Sequence, residues 1–341
     1  MNKKLFFIIS LLTIMLLSAC GAKSTSTEKP ETGTEKLSIY TTVYPLQYFT
    51  ERIGGDSVDV KSIYPAGADE HTFDPTQKDM MALADSDLFF YIGLGLEGFV
   101  ENAEKTLKNE HVKMIPTAEA IPDELLDEDH SDEGHEEDAE HDEQGHEGHE
   151  EEAEHDEHGH EGHDHGGIDP HVWISPLLSV ELATSIKDAL IASQPEMKDE
   201  FEKNYDQLKA ELVDLDSKFK EMASNVPSKT FFVSHASFGY LADSYGLEQV
   251  AIAGLNSQSE PSQKQLAQIV KDAKDHNIPY VLFEQNVSSK LTDVVRKEIG
   301  AESLMLHNLG VLTTDDIKNN EDYFSLMEKN IETLNKALGG K

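Results

Sequence analysis

The chain offers sixteen histidines and one cysteine for metal chemistry. A lone thiol, Cys20, cannot furnish a folded thiolate site, so any tight transition-metal site must draw on imidazole and carboxylate. Six histidines lie outside one dense run, and three of them have settings that suit a ligand. His71 sits in Ala68-Asp69-Glu70-His71-Thr72-Phe73-Asp74-Pro75 and His171 in Asp169-Pro170-His171-Val172-Trp173, both aromatic-flanked turns. His235 follows the apolar run Phe231-Phe232-Val233 after Ser234. Glu284 closes the run Val281-Leu282-Phe283, where an unpaired carboxylate would be costly. Three neutral imidazoles and one carboxylate make four N/O donors, a set suited to tetrahedral Zn²⁺. Catalytic zinc usually keeps three protein ligands and a water, so four protein ligands point to holding metal rather than activating water, and no enzyme is expected. A zinc-dependent hydrolase with Glu284 as general base is the alternative, against which stands the lack of a His-Glu-x-x-His pair. His111, His276 and His307 lack such settings and are expected at the surface or at element ends.

The other ten histidines are His130, His135, His141, His146, His149, His155, His158, His160, His163 and His165. They alternate with Glu, Asp and Gly in low-complexity sequence that cannot bury a core, so disorder with weak, exchangeable metal capture is expected over 123–166. Residues 123–165 hold 22 acidic and no basic residues, so over half of the formal charge of −38 is local. The acidity leaves no basic face for a phosphate backbone, which excludes nucleic acid as a partner and makes cations natural ones.

The elements that must position these side chains alternate. Strand-like and helix-like stretches follow one another over 37–43, 45–53, 58–63, 76–84, 88–92, 96–107 and 112–115, and the rhythm resumes over 230–234, 238–245, 249–252, 261–276, 280–283 and 290–299, with a closing helix over 323–338. Each half reads as α/β with a mainly parallel sheet flanked by helices. In such sheets ligands gather at the carboxyl ends of strands, where His235 and Glu284 fall. Between the halves, Phe201, Tyr205, Leu208, Leu212, Leu215, Phe219 and Met222 recur every three or four residues, one helical stripe. A helix over 195–226 would be about 45 Å long at about 1.5 Å per residue, a rigid connector between two lobes. The reading is an N-terminal lobe over 37–194, a connecting helix over 195–226, a C-terminal lobe over 227–341, and a metal site in the interlobe cleft.

At the start, Lys3 and Lys4 precede apolar runs that stop at Ser18, Ala19 and Cys20, which marks 1–19 as a signal peptide too short for a comfortable membrane span. Leu17-Ser18-Ala19-Cys20 resembles a bacterial lipobox, which implies lipidation of Cys20 and anchoring to the outer face of the cell membrane. Residues 20–36 read as a flexible tether.

Taken together, the four ligand segments resemble the zinc-specific solute-binding lipoproteins of bacterial ABC importers, in the metal-binding group related to the streptococcal adhesin lipoproteins. The family pattern is matched by Gly67, His71 and Pro75 in Gly-x-x-x-His-x-x-x-Pro, by Asp169 to Trp173 in Asp-Pro-His-x-Trp, by His235, and by Glu284 after an apolar strand. The likeness covers essentially the whole chain after the signal peptide. Relatives that carry Mn²⁺ tend to have carboxylates at the third and fourth positions; His235 and the His-rich insertion match the zinc branch. Some zinc-binding members carry a further C-terminal metal-binding domain, which is not expected in a chain ending at Lys341.

The resemblance implies capture of Zn²⁺ outside the cell and delivery to a membrane permease driven by a cytoplasmic ATPase, by a monomer whose stiff helix limits lobe closure. The alternatives are an adhesin or surface metal-buffering lipoprotein whose acidic loop is the working part, or a manganese-binding member of the same group. Binding is expected to weaken on acidification toward the ordinary imidazole pKa of about 6.5. Asp69, Glu70 and Asp74 are each candidates to orient His71.

Overall fold

A computed structural model describes residues 36–126, 167–259, 261–285 and 290–340. The signal peptide, Cys20, most of the tether and the ten histidines of 130–165 lie outside the described residues.

In the first lobe β1 (Leu37–Thr41), β2 (Val58–Ser62), β3 (Leu88–Tyr91) and β4 (Lys113–Pro116) form an all-parallel sheet in the order β2-β1-β3-β4. All four residues of β3 are buried, as a continuous apolar run in a sheet covered on both faces requires. Its helices are α1 (Tyr44–Gly54), α2 (Gln77–Ala84) and α3 (Val100–Leu107). Pro45 in the first turn of α1 has no amide hydrogen to satisfy, and the face bearing Leu46, Phe49 and Ile53 is buried. The stretch expected to be helical from residue 96 starts at Val100, because Gly93, Leu94 and Gly95 all take positive φ and turn the chain first.

Two helices follow. α4 (Pro176–Ser193) was not expected. Its apolar residues form no single stripe, because it is buried on more than one side, against α1 and against α5 (Lys198–Asn225). α5 carries the predicted stripe, with Phe201, Tyr205, Leu208, Leu212, Leu215, Phe219 and Met222 all buried. Its 28 residues span about 42 Å at about 1.5 Å each. The helix starts at Lys198 rather than 195, since Pro195–Met197 is a separate 3₁₀ turn.

The second lobe repeats the first. β5 (Thr230–His235), β6 (Glu248–Ala253), β7 (Tyr280–Phe283) and β8 (Glu302–Met305) are parallel in the order β6-β5-β7-β8. Its helices are α6 (Gly239–Ser244), α7 (Gln263–Asp275), α8 (Lys290–Ile299), α9 (Thr314–Asn319) and α10 (Tyr323–Ala337). Both lobes belong to a single compact unit, Lys36–Lys341.

Two helices tie the lobes. On α5, Asn204 Nδ2 donates to the Ile53 carbonyl of α1 at 3.0 Å, while Phe219 stacks on Tyr245 beyond α6 with centroids 5.2 Å apart. At the start of α10, Tyr323 meets Phe49 edge-on at 5.0 Å and its hydroxyl donates to the Trp173 carbonyl at 3.1 Å. Among the described residues no helix is long and apolar enough to cross a membrane.

Candidate metal centre

In each lobe the sheet order reverses beside its first strand, between β1 and β3 and between β5 and β7. A parallel sheet opens a crevice at such a reversal, at the carboxyl ends of the strands. The two lobes use theirs differently. In the first, buried Glu97 fills the crevice, accepting from Thr42 Oγ1 at 2.8 Å, Ile92 N at 2.8 Å and Gly93 N at 3.0 Å; burial pushes its carboxyl up to about 7. In the second, His235 ends β5 and Glu284 directly follows β7, both turned toward the crevice mouth.

His71 comes from the long turn between β2 and α2. Gly67 takes a φ of +76°, and its amide donates to the Leu312 carbonyl at 3.1 Å, fixing the turn against the second lobe. Asp69 Oδ1 accepts the His71 amide at 2.9 Å, and Thr76 and Asp79 close a capping box that ends the turn at α2. His171 precedes the 3₁₀ turn Val172–Ile174 and is fully buried. Asp169 Oδ1 accepts its amide at 2.9 Å and lies 2.7 Å from its Nδ1. That pairing places the ring proton on Nδ1 and leaves Nε2 as a lone-pair donor.

The three rings converge. Nε2 of His71 and Nε2 of His171 are 3.2 Å apart, and the ring centroids lie 5.1 Å (His71 to His171), 5.1 Å (His71 to His235) and 4.9 Å (His171 to His235) apart. One nitrogen from each ring lies within 4.8 Å of the others. Adjacent ligand atoms on a tetrahedral ion with bonds of about 2.0–2.1 Å stand about 3.3 Å apart, so the 3.2 Å approach fits two nitrogens on one ion.

Glu284 lies one step away from this three-nitrogen set. Its Oε2 is 3.1 Å from Nδ1 of His235, whose Nε2 faces the Leu255 carbonyl at 2.8 Å. Both ring nitrogens of His235 are thus engaged. Asn308 Nδ2 donates to the same Glu284 oxygen at 2.7 Å, and Ser234 Oγ donates to the other at 3.1 Å.

The charges follow. Burial, then the neighbouring His171 and His235, pushes His71 down to about 2, so it is neutral throughout the physiological range. Burial opposes charge on His235 too, but the Glu284 carboxylate outweighs it and raises the ring to about 9. Burial likewise opposes charge on Glu284, yet His235 and the Asn308 amide hold it below the usual value. Glu70, beside His71, is pushed up to about 7 by burial and by Glu284.

Of the other histidines, His111 is exposed near Asp87, and His276 is exposed beyond the end of α7. His307 differs from expectation: it is buried, Nδ1 accepting the Leu309 amide at 2.9 Å and Nε2 pairing with Asp316 at 3.1 Å, which caps α9. Of the three carboxylates considered for orienting His71, Asp69 holds its backbone. Asn308, Ser234 and Leu255 carried no signal in the sequence, because each acts only by meeting a residue far along the chain.

Two lobes are bridged by helices, and where they meet lies an imidazole cluster that could hold a metal ion. Residues 39–337 match the family described as zinc-uptake complex component A, periplasmic, and the chain belongs to that family. It is similar to the zinc-binding lipoprotein AdcA of Streptococcus pneumoniae, 37% identical over 337 residues, covering 98% of this chain but 61% of that protein. It is also similar to the high-affinity zinc uptake system protein ZnuA of Bacillus subtilis, 36% identical over 324 residues, covering 95% of this chain and 94% of that one. The crystal structure of Zn(II)-bound AdcA from Streptococcus pneumoniae superposes with a TM-score of 0.69 at 33% identity, covering 90% of this chain and 58% of that one.

Proposed function

We propose that this chain is the extracytoplasmic zinc-binding component of an ABC-type uptake system, taking up Zn²⁺ between its lobes and handing it to a membrane permease with a cytoplasmic ATPase. The observation that carries the reading is the convergence of one nitrogen each from His71, His171 and His235 within 4.8 Å. Thiol-free nitrogen donors suit zinc better than manganese, which favours oxygen. Family membership and zinc-named relatives of similar fold support the same cargo. The site serves transport rather than catalysis, and the protein acts as a monomer held at the outer face of the membrane through lipidated Cys20.

Glu284 is the proposed fourth ligand. When the ion displaces the proton on His235, the Glu284 oxygen 3.1 Å from that ring is freed to offer its lone pair to the metal. A second reading is favoured by the bond between Oε2 and Nδ1: His235 binds through Nε2 after releasing the Leu255 carbonyl, and Glu284 stays behind it as the orienting carboxylate. A zinc-loaded crystal structure separates them, placing a Glu284 oxygen either at about 2.0–2.2 Å from the ion or still on Nδ1.

The function itself is tested by competitive titration of metal-free protein with Zn²⁺ and Mn²⁺. One tight zinc equivalent that survives deletion of 130–165 and disappears in His235→Ala is the expected result. Tight binding that vanished with the loop and ignored His235→Ala would overturn the assignment and make the loop histidines the working element.

A further inference from the structure

Every polar group of Asn308 has a partner, although the residue is 2% exposed. Its Oδ1 accepts from Gln285 Nε2 at 2.7 Å and from the Gly310 amide at 3.0 Å. Its backbone amide donates to Gln285 Oε1 at 3.1 Å, and its carbonyl accepts Trp173 Nε1 at 2.7 Å. With Oδ1 facing two donors, the orientation of the amide is fixed, and Nδ2 must point at what remains. Two carboxylates remain: Glu70 Oε1 at 2.9 Å and Glu284 Oε2 at 2.7 Å. The turn that presents Asn308 is held in an unusual conformation, since the next residue, buried Leu309, has a φ of +60°. Such a conformation persists only where its surroundings hold it, as the bonds around this turn do.

We infer that Asn308 is a positioning residue which, with Ser234, clamps Glu284 so that it offers the metal a single oxygen, and so favours zinc over larger oxygen-seeking ions. This rests on Glu284 as the fourth ligand. Ser234 Oγ donates to Oε1 at 3.1 Å and accepts the Glu284 amide at 3.3 Å, while Asn308 holds Oε2. Both carboxylate oxygens are therefore tied to neutral donors. An ion that takes one lone pair on Oε2 leaves both bonds in place. Capture through both oxygens must break them, stranding buried donors. Four-coordinate Zn²⁺ needs only the first arrangement, whereas ions that fill six or more positions with oxygen gain from the second. Asn308 also reaches Glu70, next to His71, so one amide ties the first-lobe ligand turn to the second-lobe carboxylate.

The test is competitive titration of Zn²⁺ and Mn²⁺ into metal-free Asn308→Ala, Ser234→Ala and Ser234→Thr, with metal-edge X-ray absorption on the loaded proteins. Asn308→Ala is expected to lower the ratio of zinc to manganese affinity about tenfold, equivalent to about 1.4 kcal/mol, with an added oxygen around bound manganese. Ser234→Ala should shift the ratio the same way by a smaller factor, and Ser234→Thr, which keeps the hydroxyl, should restore it. Because Ser234→Ala leaves the 307–310 turn intact, it reads the clamp even if Asn308→Ala fails to fold. A ratio unchanged within about twofold in the folded variants, or an equal loss for both ions, overturns the inference. Glu284→Ala is titrated alongside: full zinc affinity there would instead refute Glu284 as a ligand, a separate result.

Discussion

Asp169→Ala separates the positioning of an imidazole from its presence. In the wild type one carboxylate oxygen holds both the His171 amide at 2.9 Å and its Nδ1 at 2.7 Å, with the ring fully buried. Alanine removes the charge and both bonds while His171 remains. The ring then has no carboxylate to fix its proton on Nδ1, and the tautomer that presents Nε2 is no longer favoured. Removing the carboxylate behind a metal-bound histidine costs about 10–100-fold in affinity, equivalent to about 1.4–2.7 kcal/mol. The metal-free fold should weaken by about 1–3 kcal/mol as well, because a buried donor is left without its partner. Asp169→Asn, which keeps an acceptor oxygen but not the charge, should fall between alanine and wild type. The affinity is read by competition against a chelator of known strength, with a thermal melt of metal-free protein to record the stability loss separately. A folded Asp169→Ala that titrates within about twofold of wild type would refute the argument that this carboxylate sets the His171 donor.

Four further outcomes are expected. Because His235 is raised to about 9 in the metal-free fold, its pairing with Glu284 contributes stability fully present below about pH 6.5 and lost as pH rises toward 9; His235→Gln should flatten the melting temperature across that window. Under the same shift zinc must displace a proton at neutral pH, so calorimetry in buffers of differing ionisation enthalpy should count about one proton released from His235, and none from His71, which is already neutral. Gly310→Ala should destabilise by about 1–3 kcal/mol in denaturant titration, since its Cβ would land 2.6 Å from Glu70 Oε1. Phe219→Ala should cost about 3–5 kcal/mol by removing a fully buried ring stacked on Tyr245.

The pH behaviour shows where sequence reasoning reached its limit. Three ordinary imidazoles would all release metal as pH falls through about 6.5. The fold instead drives His71 and His235 in opposite directions, because burial, reinforced by the neighbouring imidazoles, lowers His71, whereas at His235 the Glu284 carboxylate outweighs burial. His307 is a similar case. A lone histidine after Leu304-Met305-Leu306 suggests a surface position, and only the packing of the 307–310 turn against α10 and α9 buries it.

The sequence by itself determined the alternating α/β order, the stripe of the long helix and the three histidines that meet, because these depend on local periodicity and on chemistry carried within a few residues. The evenly apolar 176–193 stretch escaped it, since a helix buried on more than one side leaves no stripe to read. What only the tertiary structure decided is how these side chains are held. Asn308 meets a carboxylate 238 positions away in Glu70 and one 24 away in Glu284. The 2.9 Å bond to Glu70 is set by how the lobes dock and the 2.7 Å bond to Glu284 by how the second lobe folds, and no pattern along the chain encodes either.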